Sequence, residues 1–205
     1  MPDIQSDNEQ DIINKLLQKD DAAYRQVVRA YHGMMLYVAK SIVGESIAEE
    51  IVQEAWLAVL NSLPKFERRS SLKTWILRIV SNTAKSRLRR ESRIVSLDSL
   101  TDNDNPALAA TRFNERGHWS NPPGVWHADT PDSLLSTTEL KACIDNALKQ
   151  LSPIQRSVIT LRDIQGLDME TICKILDVSE SNARVLLHRA RSHIREAIDK
   201  NQREN

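Results

Sequence analysis

Apolar side chains recur every three or four residues along most of this chain, and between Arg93 and Thr138 they stop doing so. That contrast constrains the fold more than any other feature. In 72-LKTWILRIVSNTAKSRLRR-90 the stripe is Trp75, Ile76, Ile79, Val80, Ala84 and Leu88, the spacing of one buried helix face. In 22-AAYRQVVRAYHGMMLYVAKSIVG-44 it is Val27, Val28, Tyr31, Met34, Met35 and Val38, with Gly44 as a stop signal. In 46-SIAEEIVQEAWLAVLNSL-63 it is Ile47, Ile51, Val52, Ala55, Val59 and either Trp56 or Leu57, ended by Pro64. Helical patterning resumes in 138-TELKACIDNALKQL-151 and 152-SPIQRSVITLRDIQG-166, where Ser152 suits an N-cap and Pro153 a first turn. No segment alternates as a strand does, and only five glycines interrupt the chain. The irregular span is too long for a loop inside a compact domain. The expectation is an all-α protein of two small helical domains, 1–93 and 138–205, joined by an irregular linker over 94–137.

The segment 167-LDMETICKILDVSESNARVLLHRARSHIREAI-198 carries the most specific pattern. Asp168 can cap a short helix whose Met169, Ile172, Ile175 and Leu176 face inward, and Asp177-Val178-Ser179 forms a tight turn. Ser179 caps a second helix with Asn182 at its third position, where a capping box has Glu or Gln. Ala183, Leu186, Leu187, Ala190, Ile194 and Ala197 form that helix's buried stripe. The other face offers Ser181, Arg184, Val185, His188, Arg191 and Arg195, with Arg189 at its edge. This is the layout of a helix-turn-helix, whose second helix reads base edges near its start and grips phosphates further along.

Net charge is zero, yet the charge is segregated. From Lys65 to Arg93 ten basic residues face two acidic ones, and from Ile94 to Thr138 six acidic face two basic. From Arg184 to Arg203 six basic face two acidic. Two basic runs on amphipathic helices, separated by an acidic strap, point to a polyanion partner such as nucleic acid.

The residues hold no catalytic set: serines and histidines are scattered without a triad, and no Gly-rich phosphate loop is present. His118 and His127 alone make a poor metal site, so neither metal nor cofactor is expected. Cys143 and Cys173 lack metal or redox spacing and read as reduced, buried thiols. With no run of about 18 apolar residues and no signal peptide, the chain is expected to be soluble and cytoplasmic.

Two blocks resemble the sigma-70 initiation factors of bacterial RNA polymerase, in their small extracytoplasmic-function class. The first is 48-AEEIVQEAWLAVLNSLPKFERRSSLKTWILRIVSNTAKSRLRR-90, together with about residues 21–44, and is similar to region 2. The second is 148-LKQLSPIQRSVITLRDIQGLDMETICKILDVSESNARVLLHRARSHIRE-196, similar to region 4. The resemblance implies a non-enzymatic subunit that directs core polymerase to promoters and aids strand opening. Its implied partners are core RNA polymerase (clamp helices and flap), promoter DNA and an anti-sigma factor, without insertion in a membrane. It assigns core docking to Glu49, Glu50, Gln53 and Glu54. It assigns the −10 element to Phe66, Arg68, Ser70, Lys73, Asn82, Lys85, Ser86, Arg89 and Arg90, with Arg87 on upstream phosphates. It assigns the −35 element to Arg162, Ser181, Arg184, Val185, His188, Arg189 and Arg191. Many relatives have Ser where this chain has Val185 and Arg where it has Leu186, so the −35 sequence cannot be copied from them. The longer members of the family carry further domains that have no counterpart here. The linker stretch 117-GHWSNPPGVWHADTP-131 resembles a Trp/Pro-bearing subgroup, and Trp119 and Trp126 are expected to dock the strap on region 2, polymerase or an anti-sigma partner. The alternative is a helix-turn-helix regulator that binds duplex operators without joining polymerase.

Overall fold

The computed structural model describes the backbone of residues 6–95 and 137–204, and side chains within 9–90 and 140–201. Regular structure among the described residues is helical throughout. The linker tryptophans Trp119 and Trp126 lie outside the described residues.

The first block opens with a helix that the sequence patterning did not single out, α1 (Ser6–Leu17), which buries Ile12, Ile13 and Leu16. After a turn, Asp20 caps α2 (Asp21–Val43) by accepting the Ala23 N–H at 2.8 Å. Gly44 ends α2 at φ 82°, a left-handed backbone that favours glycine. Helix α3 (Ala48–Ser62) passes into a 3-10 turn, Leu63–Lys65, which holds Pro64 in its opening positions where no N–H is needed. Helix α4 (Leu72–Val95) follows, two residues longer than the expected domain boundary at 93. The Ser71 hydroxyl accepts the Thr74 N–H at 3.2 Å at its start. The first α4 amide, Leu72 N–H, donates to the Glu9 carboxylate of α1 at 2.9 Å. A carboxylate there offsets the positive end of the helix dipole and ties α1 to α4.

The second block begins with α5 (Thr137–Gln150) and α6 (Pro153–Ile159). Ser152 is the N-cap before Pro153 as expected, and Gln155, which the sequence reading did not single out, completes a full capping box with it. A wide turn of π character, Thr160–Ile164, leads to α7 (Met169–Leu176) and α8 (Glu180–Glu204).

Helix α4 is the hub. It packs on α2 and α3 on one side and receives α7 on the other, while α2 meets α6. The buried residues therefore form one continuous core through both blocks. Leu77, which the expected α4 stripe omitted, is fully buried; it lies three residues before Val80 and seven before Ala84, on the same side of the helix. Two expected core residues come out exposed. Val28 and Leu57 sit on outward faces of α2 and α3, and the choice between Trp56 and Leu57 falls to Trp56, which is half-buried. Among the described residues no helix is long and apolar enough to cross a membrane.

Candidate nucleic-acid interface

The candidate face of α4 is built by its N-terminal loop and its exposed middle. The Phe66 and Trp75 rings pack at 4.7 Å between centroids, tilted by 37°, and both are half-buried against the core. They form an apolar shelf below the loop. Arg68 adopts a left-handed backbone at φ 59° and donates to Asn14 Oδ1 of α1 at 3.3 Å, so α1 helps shape this loop. Ser70 and Lys73 are half-buried at its edge. Further along, Asn82, Arg89 and Arg90 are exposed, and Ser86 accepts a hydrogen bond from Arg89 at 3.3 Å. Phe66 and Trp75 below, with Asn82 and the arginines above, combine a stacking surface with a cationic track, the elements that capture of single-stranded DNA uses.

Two cations depart from the expected pattern. Lys85 turns toward α7 and donates to the Leu176 carbonyl, half-buried. Burial pushes its ammonium below the ordinary lysine pKa, while Asp177 nearby pulls in the opposite sense. Arg87, which the resemblance placed on upstream phosphates, reaches back to α3. Its Nη1 lies 3.0 Å from Glu50 and 3.7 Å from Glu54, and only 26% of the side chain is exposed.

That pairing defines the acidic face of α3. Glu49 and Gln53 are exposed, Glu50 and Glu54 are held by Arg87, and Glu49 lies 3.9 Å from His32 Nε2. His32 Nδ1 in turn accepts the Trp56 indole N–H at 3.3 Å. Beside these residues Leu57 is 63% exposed and Leu60 42% exposed. Leu60 also borders an apolar groove of about 420 Å³ lined by Leu16, Tyr24, Val27 and Trp56. An exposed apolar patch rimmed by carboxylates is the make-up of a protein-docking surface. Sequence reasoning found the rim and missed the apolar centre, because Leu57 fits the helical stripe as well as Trp56 does.

The helix-turn-helix forms as its caps imply. Asp168 accepts the Thr171 N–H at 2.8 Å and the Thr171 hydroxyl at 2.7 Å, which holds its carboxyl below the usual range. Asp177 closes α7 in the left-handed region at φ 55°. Ser179 Oγ accepts the Asn182 N–H at 3.3 Å and starts α8. Ala183, with no side chain beyond Cβ, is fully buried where α8 begins to pack. Ser181, Arg184, Val185 and Arg189 are exposed together on the first turns of α8, with His188 half-buried beside them. Val185 is 47% exposed, an apolar side chain held in water among cations. Arg184 is steadied by Glu180 one turn earlier, with Nε at 3.1 Å. The other two expected contacts are engaged within the fold. Arg162 donates to the Leu167 carbonyl at 2.8 Å. Arg191 makes a two-point contact with Asp163 at 2.9 and 2.6 Å, which fixes α8 to the π turn.

Known proteins converge on the same two elements. A model of sigma-70 region 2 matches residues 27–94 and a model of sigma-70 region 4 matches residues 141–194, in that order. The chain is 28% identical over 168 residues to a probable RNA polymerase sigma factor of Haemophilus influenzae, covering 82% of this chain and 84% of that one. It is 27% identical over 191 residues to the ECF RNA polymerase sigma-E factor of Escherichia coli, covering 93% and 92%. Among solved structures, the sigma factor RpoE in complex with the anti-sigma factor NepR from Bartonella quintana shares the fold. Its TM-score is 0.59 at 21% identity, over 86% of this chain and 96% of that one. The chain belongs to the sigma-70 family of RNA polymerase sigma factors. Within that family it is a transcription initiation factor of the extracytoplasmic-function type.

Proposed function

We propose that this factor divides its work among three helices. The acidic and leucine-bearing face of α3, with Glu49, Glu50, Gln53 and Glu54, docks on the clamp helices of core polymerase. Helix α4 and the loop 66–71 take the −10 element as single-stranded DNA. Phosphates run along Arg89 and Arg90, and Asn82 reads a base edge beside the Phe66–Trp75 shelf. The first turns of α8 enter the major groove at the −35 element. There Arg184 reaches a base edge, Val185 meets a thymine methyl, and His188 and Arg189 flank them. On this reading residues 1–93, 94–137 and 138–205 serve as −10 reader, strap and −35 reader. The strap docks through Trp119 and Trp126. The polymerase supplies the phosphoryl-transfer chemistry and its metal, so this subunit is not itself an enzyme. It works in the cytoplasm under an anti-sigma factor, the kind of partner bound to the structurally similar RpoE.

The observation that carries the reading is the shared exposure of Ser181, Arg184, Val185 and Arg189 at the capped start of α8. A helix pair built only for packing has no reason to hold a valine and two arginines together in solvent. The deciding experiment mixes the full chain with core polymerase and measures co-purification and run-off transcription from −10/−35 promoters selected from the genome. Promoter-specific initiation is expected. Tight binding to duplex DNA alone, with no initiation by core enzyme, makes the chain an ordinary helix-turn-helix regulator instead. Asn82→Ala is expected to alter −10 preference or open-complex formation while core binding persists.

A further inference from the structure

The first helix grips the loop from which α4 grows. Glu9 stands three, four and seven residues before Ile12, Ile13 and Leu16, so it lies on the buried stripe of α1, one turn ahead of them. From there its carboxylate accepts the Leu72 N–H, the first amide of α4, at 2.9 Å. Asn14, at an exposed position of α1, accepts from the Arg68 guanidinium at 3.3 Å, in the middle of loop 66–71. Leu16 lines one apolar groove together with Leu63 and Leu72, which stand on either side of that loop.

The loop's own contacts are slight. Glu67 and Arg69 pair at 2.6 Å in solvent, where such a pair adds little. The Ser70 hydroxyl donates to the neighbouring Ser71 carbonyl at 3.4 Å. Arg68 sits at φ 59°, an unfavourable backbone for a residue with a Cβ, and such a residue persists where its surroundings hold it. Helix α1 supplies that hold, at the loop's middle and at its end. A loop fixed at both points presents one wall to an unstacked base, whereas a loose loop adjusts to any base. Helix α1 also lies ahead of 27–94, the span that carries the region 2 match.

Resting on the functional reading above, we propose that α1 is a specificity element for the −10 strand, in which Glu9 and Asn14 are positioning residues. They act through the loop rather than on DNA. Glu9 fixes where α4 starts, and with it the register between the loop and Asn82. Asn14 keeps Arg68 folded against the protein. The loop wall and the Phe66–Trp75 shelf then stay at a set separation, and a base of the wrong shape fails to seat. The effect falls on −10 selectivity, while docking by α3 and −35 reading by α8 lie outside it.

The test uses the full chain with Glu9→Ala, Glu9→Gln, Asn14→Ala, and Glu9→Ala combined with Asn14→Ala. Trypsin cleavage after Arg68 and Arg69, mapped by mass spectrometry, reads the loop in the free chain. Run-off transcription by holoenzyme from promoters substituted at each −10 position reads selectivity, with core affinity measured alongside. Glu9→Ala and Asn14→Ala are each expected to speed loop cleavage and to lower the preference for the best −10 sequence several-fold. The double variant should do more, with core affinity and −35 preference held. Glu9→Gln, whose amide oxygen still accepts the Leu72 N–H, should recover most of the wild-type preference. Should the double variant fail to fold, Asn14→Ala, altered at an exposed position, still decides the outcome. Unchanged loop cleavage overturns the proposal, as does faster cleavage with −10 preference intact. A wild-type holoenzyme without promoter-specific initiation fails the functional reading itself and takes the −10 role of α1 with it, a result distinct from any behaviour of the variants.

Discussion

Helices α4 and α8 carry the two basic faces proposed to read DNA, yet they are held in opposite ways. Helix α4 runs through the middle of the molecule. Neighbours claim Leu72, Ile76, Leu77 and Val80 from within, and Arg78, Lys85 and Arg87 from two other helices, α7 and α3. Helix α8 buries one stripe, Ala183, Leu186, Leu187 and Ala190, and leaves its first turns in solvent. The difference teaches that a DNA contact on α4 is also a packing element, whereas one on α8 is separable from stability. Strand opening needs a rigid, partly apolar surface against which unstacked bases settle. Duplex reading needs only a protruding helix end.

The comparison can be broken in four ways, from the largest effect to the smallest. Leu77→Ala on α4 is expected to destabilise by about 2–5 kcal/mol in denaturant titration, because it empties a fully enclosed site. Leu186→Ala on α8, 9% exposed, should cost less, and equal losses would end the contrast. Arg184→Ala should leave the melting temperature unchanged and weaken promoter binding by about 1–3 kcal/mol at the preferred −35 base pair only. A uniform loss over all −35 variants makes Arg184 a phosphate clamp. Arg87→Gln should lower core-polymerase affinity by about 1 kcal/mol or more through Glu50 and Glu54, with promoter preference intact. If promoter contacts fail instead, Arg87 belongs to the DNA face as the family resemblance had it.

The last test is a pH effect in the helix-turn-helix. The Thr171 backbone N–H, and then its hydroxyl, hold the Asp168 carboxyl below its ordinary value of 3.8. A folded pKa below the unfolded one means that the cap stabilises fully above about that value and fades as pH falls through the depressed folded pKa. Asp168→Ala should cost about 1 kcal/mol at neutral pH. The gap from wild type should close in acid unfolding below pH ~4. A gap that stays constant into strong acid would show that the carboxylate charge contributes nothing there.

Much of this was legible in the linear chain, for a local reason. Caps act across three residues, so Ser152, Asp168 and Ser179 announced the helix starts of the second block before any packing was known; their partners Gln155, Thr171 and Asn182 lie within one turn. The recognition face of α8 followed from periodicity alone, since exposure at Ser181, Arg184 and Val185 depends only on where Ala183 and Leu187 point. The same logic was available for α1, where Ile12, Ile13 and Leu16 sit at helical spacing, but the helix is short and its polar flank hid it.

What the sequence by itself determined is the set of helices, their ends and the sign of their faces, because those are set by neighbours within a turn or two. Only the tertiary structure decided which charges remain on the surface. Lys85 finds its acceptor 91 positions away, Leu72 finds Glu9 63 positions back, and Arg87 finds Glu50 37 positions back. Periodicity gives each of these side chains a direction from its own helix. Whether DNA, solvent or another helix waits in that direction depends on how α4 is enclosed, which no local pattern records.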